Sequence, residues 1–172
     1  SEMCIRDRSA LEDIYMRYIF DLDHTVIDSS HRQLTKADGS LDLEHWIANN
    51  TRAKIMADSL LPLATQWRKA YAKGGEIVVC TARVIGQDDR DFLAMNGLRY
   101  HAMLSRPLGV TTSDDLLKLV ALRKYAQKIG KSWANFCATS IMWDDNAEVQ
   151  KTLASRGLIV HNAIIANKEL TA

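Results

Sequence analysis

Acidic residues follow two of the apolar segments of the sequence, at the points where strands would give way to loops. Asp21 and Asp23 come directly after one apolar segment, and the pair Asp144 and Asp145 follows another. Because ligands of open α/β sheets bind at the carboxyl ends of the strands, we expect the four side chains to meet at one edge. Four carboxylates there repel one another unless a cation neutralises them, and oxygen ligands favour Mg²⁺. The sequence therefore predicts a magnesium site.

A hydroxyl and an amine complete a set that suits phosphoryl transfer. Thr81 ends a second apolar segment, and Lys118 lies in a helical segment after the third. A carboxylate can attack phosphorus to form an aspartyl-phosphate, while a second carboxylate protonates the leaving alcohol and later activates water. Thr81, Lys118 and Mg²⁺ would bind the non-reacting phosphate oxygens, whose charge must be stabilised in the transition state.

Short apolar segments alternate with longer helical patterns, and this arrangement would position the chemical groups. Strands are predicted at residues 16–20, 76–80, 100–104, 140–143 and 158–161, and helices at 41–49, 59–73, 113–128 and 146–155. Short strands that are apolar throughout are typical of parallel sheets covered on both faces, so the alternation predicts a doubly wound α/β fold. Residues 26–50 are the least regular segment, and we interpret them as a small flap.

The composition is that of one globular domain. The 172 residues are 47% hydrophobic and 25% charged, which excludes a disordered or low-complexity protein. A formal charge of +1 gives no general attraction to nucleic acids or membranes, so a local cluster must hold any bound anion. Three cysteines without a CxxC pair, and no apolar run of roughly 18 residues, favour a cytoplasmic protein without a membrane partner. We interpret residues 1–10 as a non-native or disordered segment and residues 11–172 as one domain.

The ordered motifs resemble those of the haloacid dehalogenase (HAD) superfamily of phosphatases. YIFDLDHTVID at 18–28 resembles the first motif, VVCTAR at 78–83 the second, Lys118 the third and IMWDD at 141–145 the fourth. The resemblance covers about residues 14–165 and implies a Rossmann-like core, Mg²⁺ dependence and phosphatase activity. The 60 residues from Asp21 to Thr81 and the 37 from Thr81 to Lys118 leave no room for a large cap. It implies that Asp21 is the nucleophile, and that Asp23 is the acid/base and a metal ligand through its backbone carbonyl. It also implies that Asp144 or Asp145 binds the metal together with Asp21, and which of the two does so stays open. Of the two, we expect Asp145 to bind the metal and Asp144 to orient Lys118.

The spacing of three arginines is similar to that in the phosphatase domain of phage polynucleotide kinase. Arg32 lies 11 residues after Asp21, Arg83 two residues after Thr81, and Arg106 12 residues before Lys118. This resemblance implies that the three arginines bind substrate, and Thr25 of the first motif is grouped with them. Two positions depart from the family patterns, because His24 replaces a common glycine and Asn146 replaces an arginine.

The resemblance leads to one main functional prediction and two alternatives. The main prediction is a Mg²⁺-dependent phosphatase that removes 3′-phosphates from polynucleotide ends. The enzymatic alternative is a phosphatase for free (deoxy)nucleotides or another small phosphoester, and the non-enzymatic one is a degenerate phosphate-binding module. KIGKS at 128–132 lacks a glycine that a phosphate-binding kinase loop needs, so no kinase domain is predicted. The oligomeric state stays open.

Overall fold

The structure, a computed structural model that describes residues 16–172, is built on a five-stranded parallel sheet. Its elements, in chain order, are β1 (Arg17–Phe20), β2 (Ile27–Asp28), α1 (Leu43–Ala48), α2 (Arg52–Met56), β3 (Ser59–Leu60), α3 (Leu63–Ala72), β4 (Glu76–Cys80), α4 (Gln87–Met95), β5 (Ala102–Leu104), α5 (Asp114–Lys128), α6 (Trp133–Ala138), β6 (Ser140–Asp144), α7 (Ala147–Ser155), β7 (Ile159–Asn162) and α8 (Ala163–Thr171). The order across the sheet is β5-β4-β1-β6-β7, so β1 is central. The prediction for residues 1–10 lies outside the described residues.

Helices cover both faces of the sheet, as the apolar strands require. On one face, Phe20 of β1 packs with Trp67 of α3 in a cluster that also takes residues from α4 and α8. On the other face, Ile19 of β1 packs with Leu122 of α5 in a cluster that includes α6 and α7. Successive residues of β1 therefore face opposite layers, and the predicted doubly wound α/β fold is confirmed.

All five predicted strands are present, and the helices differ more from the predictions. The helix predicted from residue 59 begins at Leu63, because Ser59 and Leu60 pair with β2 as a short antiparallel strand and Pro62 suits a helix start. Helices α2, α4, α6 and α8 were not predicted from the sequence pattern. Within residues 16–172, no helix is both long and apolar enough to cross a membrane.

The flap is an excursion between β1 and α3, and it extends beyond the predicted segment. It begins with β2, contains α1 and α2, and returns through β3, which pairs with β2. A buried ion pair ties its two ends together, because Arg32 Nε and Nη2 each donate to Asp58 at 2.9 Å. The flap is therefore an anchored structure beside the sheet, and the structure adds no large cap domain over residues 16–172.

Candidate active site

Asp21 lies at the carboxyl end of the central strand, where two donors hold its carboxylate. Lys118 Nζ donates to Oδ1 at 2.9 Å, and Thr25 Oγ1 donates to Oδ2 at 3.0 Å. The backbone N–H of Asp21 donates to the carbonyl of Trp143 at 3.1 Å, which ties the end of β1 to β6. The carboxylate is therefore held in one orientation, as an attacking group requires.

Lys118 reaches the same point from α5 and joins Asp21 to Asp144. Its ammonium donates to Asp144 Oδ2 at 2.6 Å, while the other Asp144 oxygen accepts from the backbone N–H of Asn146 at 2.9 Å. Burial alone would lower the pKa of Lys118, but the charges of Asp21 and Asp144 outweigh burial and raise it. Lys118 is therefore a charged donor at the centre of the site, with the expected contact to Asp144.

Asp145 completes a group of three carboxylates that could hold a metal ion. Asp21, Asp144 and Asp145 each offer an oxygen, and these oxygens lie within 4.8 Å of one another. Burial, and then the charge of Asp21, raise the pKa of Asp144 to about 7 and that of Asp145 to about 8. One ammonium does not balance three carboxylates once all are ionised, and a divalent cation such as Mg²⁺ would favour that ionised state, so the donor set fits it. The Asp23 side chain lies outside this group, and the metal contact through its backbone carbonyl stays a prediction.

Magnesium is expected to raise the melting temperature, because it binds the folded carboxylate group and relieves its repulsion. At a concentration 100 times the dissociation constant, such binding adds about 2.7 kcal/mol to the free energy of unfolding. Differential scanning fluorimetry with Mg²⁺ and with EDTA measures the shift. The Asp145→Asn variant should lose most of it, whereas Glu148→Gln, which alters an exposed residue of α7, should keep it. An equal shift in Asp145→Asn and the unaltered protein would contradict this assignment.

Asp23 lies beside Asp21 but is paired with Arg83. Arg83 Nε donates to Asp23 Oδ2 at 3.1 Å, and Nη2 donates to Oδ1. Asp89 of α4 holds the third arginine nitrogen, Nη1, at 2.6 Å. Burial would raise the pKa of Asp23, but the charge and hydrogen bonds of Arg83 outweigh it and lower the pKa below its usual range. Asp23 is therefore held ionised, which is the state that accepts a proton.

Thr81 follows β4 and brings a hydroxyl to the same edge. The residue is buried, and its Oγ1 accepts from the backbone N–H of Arg83 at 3.0 Å. Its own backbone N–H donates to the carbonyl of Leu104 at 2.9 Å, which fixes the loop after β4. Since a hydroxyl that accepts one hydrogen bond still carries its proton, Thr81 can donate to a ligand in the cleft.

Eight of the ten predicted site residues line one cleft of about 1110 Å³. The exceptions are Arg32 and Thr25, which were expected to bind substrate. Arg32 has no exposed surface, because Asp58 binds its guanidinium and the ring of Trp46 covers it at 4.2 Å. Thr25 is equally buried beneath Asp21. The structure therefore gives both residues supporting positions rather than places on the cleft surface.

Arg106 lines the cleft, but its guanidinium is bound by the loop after β4, the loop before α5 and the first residue of α5. Nε donates to the carbonyl of Ala82 at 2.8 Å, Nη1 donates to those of Val110 and Thr112, and Nη2 donates to Asp114 at 2.8 Å. These contacts shape one wall of the cleft. The substrate contact expected of Arg106 stays a prediction.

The upper cleft is apolar, although its floor is charged. Its walls are formed by the flap, the loop after β4 and the loop before α5, and their apolar members are Leu41, Leu43, Trp46, Ile47, Val84, Leu108 and Val110. Leu108, Ile47 and Leu43 have 88%, 65% and 58% of their surface exposed. A phosphoester with an apolar or aromatic leaving group would thus meet both parts of the cleft.

Four supporting residues were not predicted from the sequence. Ser29 donates to Asp23 at 2.7 Å, Gln33 donates to Ser29, and Asp89 holds Arg83. Asn167 of α8 acts from the far end of the chain, because its side chain donates to the carbonyl of Thr25 and accepts from the N–H of Leu63, both at 2.9 Å. These residue types are common in turns and helix ends, so no local signal marks them.

Comparison with known proteins gives a family match over nearly the whole chain. Residues 9–172 match the model of the family described as bacteriophage T5 5′-deoxynucleotidase. The 5′-deoxynucleotidase of Escherichia phage T5 is 38% identical over 87 residues, and the match covers 47% of this chain and 35% of the phage protein. The matched part thus spans about a third of the length of that relative.

Solved structures with the same fold include HAD hydrolases and an RNA repair assembly. A HAD-like hydrolase from Streptococcus pneumoniae has a TM-score of 0.59 at 12% identity, with 89% of this chain and 90% of that chain covered. The structure titled Pnkp1/Rnl/Hen1 RNA repair complex has a TM-score of 0.54 at 17% identity, with 86% and 42% covered. At these identities the similarity speaks for the fold alone, and the predicted HAD-like fold is confirmed.

Proposed function

The chain belongs to the bacteriophage T5 5′-deoxynucleotidase family, and we propose that it is a phosphatase that hydrolyses free deoxynucleoside 5′-monophosphates. The observation that carries the proposal is the convergence of Asp21, Lys118 and Thr81 in one cleft. A fixed carboxylate beside an ammonium and a hydroxyl is suited to attack phosphorus and to stabilise the phosphate oxygens.

The substrate class rests on family membership and on the size of the cleft. The apolar walls above the charged floor give a nucleobase and a deoxyribose an apolar surface, and the volume of about 1110 Å³ leaves room for both. The spacing of the arginines predicts 3′-phosphorylated polynucleotide ends as substrates. That reading has weaker support, because the family match points to free 5′-nucleotides and the RNA repair complex is similar only in fold.

In the first step, an oxygen of Asp21 attacks phosphorus and the bond from phosphorus to O5′ breaks. Asp23 gives its proton to O5′, which leaves as the nucleoside hydroxyl. Arg83 holds Asp23 ionised in the free protein. The negative charge of an incoming phosphate favours the protonated form of Asp23 and competes for Arg83, so Asp23 takes up one proton from the solvent when substrate binds.

In the second step, water attacks the aspartyl-phosphate on Asp21, and Asp23 takes the proton of that water. The bond between phosphorus and the Asp21 oxygen breaks, and Asp21 is a carboxylate again. When inorganic phosphate leaves, Asp23 releases its proton to the solvent and returns to the ionised state that Arg83 stabilises. Lys118 and Thr81 hold the phosphate oxygens during both steps. Mg²⁺ held by Asp21, Asp144 and Asp145 would supply additional positive charge to these oxygens.

A panel of phosphate esters tests the substrate class. We expect kcat/KM for the deoxynucleoside 5′-monophosphates to exceed that for a 3′-phosphorylated oligodeoxynucleotide by at least about tenfold, because the family relation points to free nucleotides. Phosphate release is measured with Mg²⁺ present and with EDTA, and an aryl phosphate reports general phosphatase activity. EDTA should abolish turnover and added Mg²⁺ should restore it.

Two outcomes would reject parts of the proposal. A higher kcat/KM on the 3′-phosphorylated oligonucleotide would restore the polynucleotide prediction and reject free nucleotides as substrates. Phosphate binding without turnover of any ester would indicate a binding module and reject the enzymatic proposal altogether.

A further inference from the structure

A line of hydrogen bonds connects the cleft surface to the Asp23 carboxylate, which Arg83 also binds. Ser29 Oγ donates to Asp23 Oδ1 at 2.7 Å, and Gln33 Nε2 donates to Ser29 Oγ at 2.9 Å. The other end of the Gln33 amide, Oε1, lies 2.7 Å from His24 Nε2. Ser29 has no exposed surface, whereas His24 and Gln33 line the cleft.

The available hydrogens determine which group donates and which accepts in each of these hydrogen bonds. Both oxygens of Asp23 accept from Arg83, so the carboxylate acts as an acceptor and the single hydroxyl proton of Ser29 must point to it. Ser29 can then only accept from Gln33, which must turn its NH₂ to Ser29 and its oxygen to His24. His24 must therefore carry its hydrogen on Nε2. Every donor in the line points towards Asp23.

The line determines which oxygen of Asp23 is left for proton transfer. Oδ1 accepts from both Ser29 Oγ and Arg83 Nη2, which fills its two lone pairs. Oδ2 accepts only from Arg83 Nε, at 3.1 Å. Oδ2 thus keeps one lone pair for a transferred proton. Without Ser29, the oxygen in the Oδ1 position would also have a free lone pair, and the transferred proton could reside on either oxygen.

The backbone around His24 also serves this arrangement. His24 has a φ of 62°, the left-handed region in which glycine is favoured, and its N–H donates to the carbonyl of Ile27 at 2.8 Å. A glycine would adopt this turn at lower cost but would leave Gln33 without its partner. The histidine at this position is thus explained by a side-chain contact that glycine cannot make.

We propose that Ser29 and Gln33, supported by His24, are positioning residues that hold Asp23 with Oδ2 turned to the leaving oxygen. This inference rests on the proposed function, because it assumes that Asp23 protonates the leaving group. It assigns to three residues of the first loop and the flap a role in the acid step rather than in binding the phosphate.

Substrates whose leaving groups differ in basicity test whether Ser29 and Gln33 position Asp23 for protonation of the leaving group. A nucleoside leaves as a strongly basic alkoxide unless it is protonated, whereas p-nitrophenolate is stable without a proton. We expect Ser29→Ala and Gln33→Glu to lower the rate of enzyme phosphorylation by a deoxynucleotide about tenfold. Rapid-quench measurement of nucleoside release and stopped-flow measurement of the p-nitrophenolate burst isolate this step. The burst rate should change less than about twofold.

The variants are chosen to remove one hydrogen bond of the line at a time with little change in side-chain shape. Gln33→Glu preserves the shape of the side chain and still accepts from His24, but it cannot donate to Ser29 and draws the Ser29 proton away from Asp23. Gln33 lies at the cleft surface, so this variant remains informative if Ser29→Ala proves unstable. Ser30→Ala is the matched control, because the Ser30 hydroxyl is exposed and donates to Asp28 at 2.6 Å.

Equal losses of the phosphorylation rate with both leaving groups would overturn the proposal, because they would indicate general damage to the site. Unchanged phosphorylation rates in both Ser29→Ala and Gln33→Glu would also overturn it. Failure of the proposed function is a separate result, seen when the unaltered protein does not hydrolyse deoxynucleotides. In that case the alkyl phosphate that it does hydrolyse is compared with p-nitrophenyl phosphate, and the same difference decides the role.

Discussion

Asp21→Asn is expected to lower kcat for deoxynucleotide hydrolysis by more than about 10³-fold, because a neutral amide oxygen is a poor nucleophile for phosphorus. The geometry of the site should survive the change. Lys118 would still donate to the remaining side-chain oxygen at the Asp21 position and to Asp144. Phosphate release and mass spectrometry of the acid-quenched protein, which detects a covalent phosphate on the unaltered protein, measure the effect.

The stability of this variant provides a second readout. Asp21 is one of three neighbouring carboxylates, so removing its charge reduces their repulsion. We expect the melting temperature of Asp21→Asn without metal to equal or exceed that of the unaltered protein. Asp91→Asn, an aspartate of α4 paired with Arg52 and outside the cleft, is the control with full activity. Undiminished turnover in Asp21→Asn would exclude the covalent route.

Lys118→Met should reduce both activity and stability. Lys118 is the ammonium that faces Asp21 and Asp144, and its side chain is only 4% exposed. Removing one partner from a buried ion pair costs about 3–5 kcal/mol, because the other charges stay buried without compensation. Loss of a cation beside the transferred phosphate is expected to lower kcat by about 10²-fold or more. Urea denaturation and steady-state kinetics measure the two effects.

A control lysine variant and a double variant show whether the losses of activity and stability come from the missing charge of Lys118. Lys124→Met changes an exposed lysine of the same helix and should alter neither property. Adding Asp144→Asn to Lys118→Met removes one of the uncompensated charges, so part of the lost stability should return while activity stays low. If Lys118→Met alone were as stable as the unaltered protein, the ion pairs would not contribute to the fold as described.

The sheet could be predicted from the sequence because its strands are buried on both faces. A parallel strand such as β4, with Ile77 to Cys80 all buried, leaves a continuous apolar segment that is easy to recognise. Short elements leave no such pattern. The two residues of β3 and the five of α2 cover little more than one period of their repeats, so no repeated pattern in the sequence indicates them.

The centre of the site was predictable for a related reason. Asp21, Thr81 and Asp144 each follow or end a recognisable strand, and parallel strands bring their carboxyl ends to one edge. Arg32 differs, because the partner that binds its guanidinium is distant in the sequence. Arg32 is 26 residues from Asp58, and no local pattern in the sequence indicates that this aspartate would bury it.

The contact between Asn167 and the loop of the nucleophile has a consequence for biosynthesis. The Asn167 side-chain amide donates a hydrogen bond to the Thr25 carbonyl, 142 positions away in the sequence. The Thr25 hydroxyl in turn donates to the carboxylate of the nucleophile Asp21. Asp21 is therefore synthesised long before Asn167, which holds the loop of the nucleophile in place. Until position 167 has left the ribosomal exit tunnel, the nascent chain should have little catalytic activity. The activity should then appear late in synthesis and abruptly.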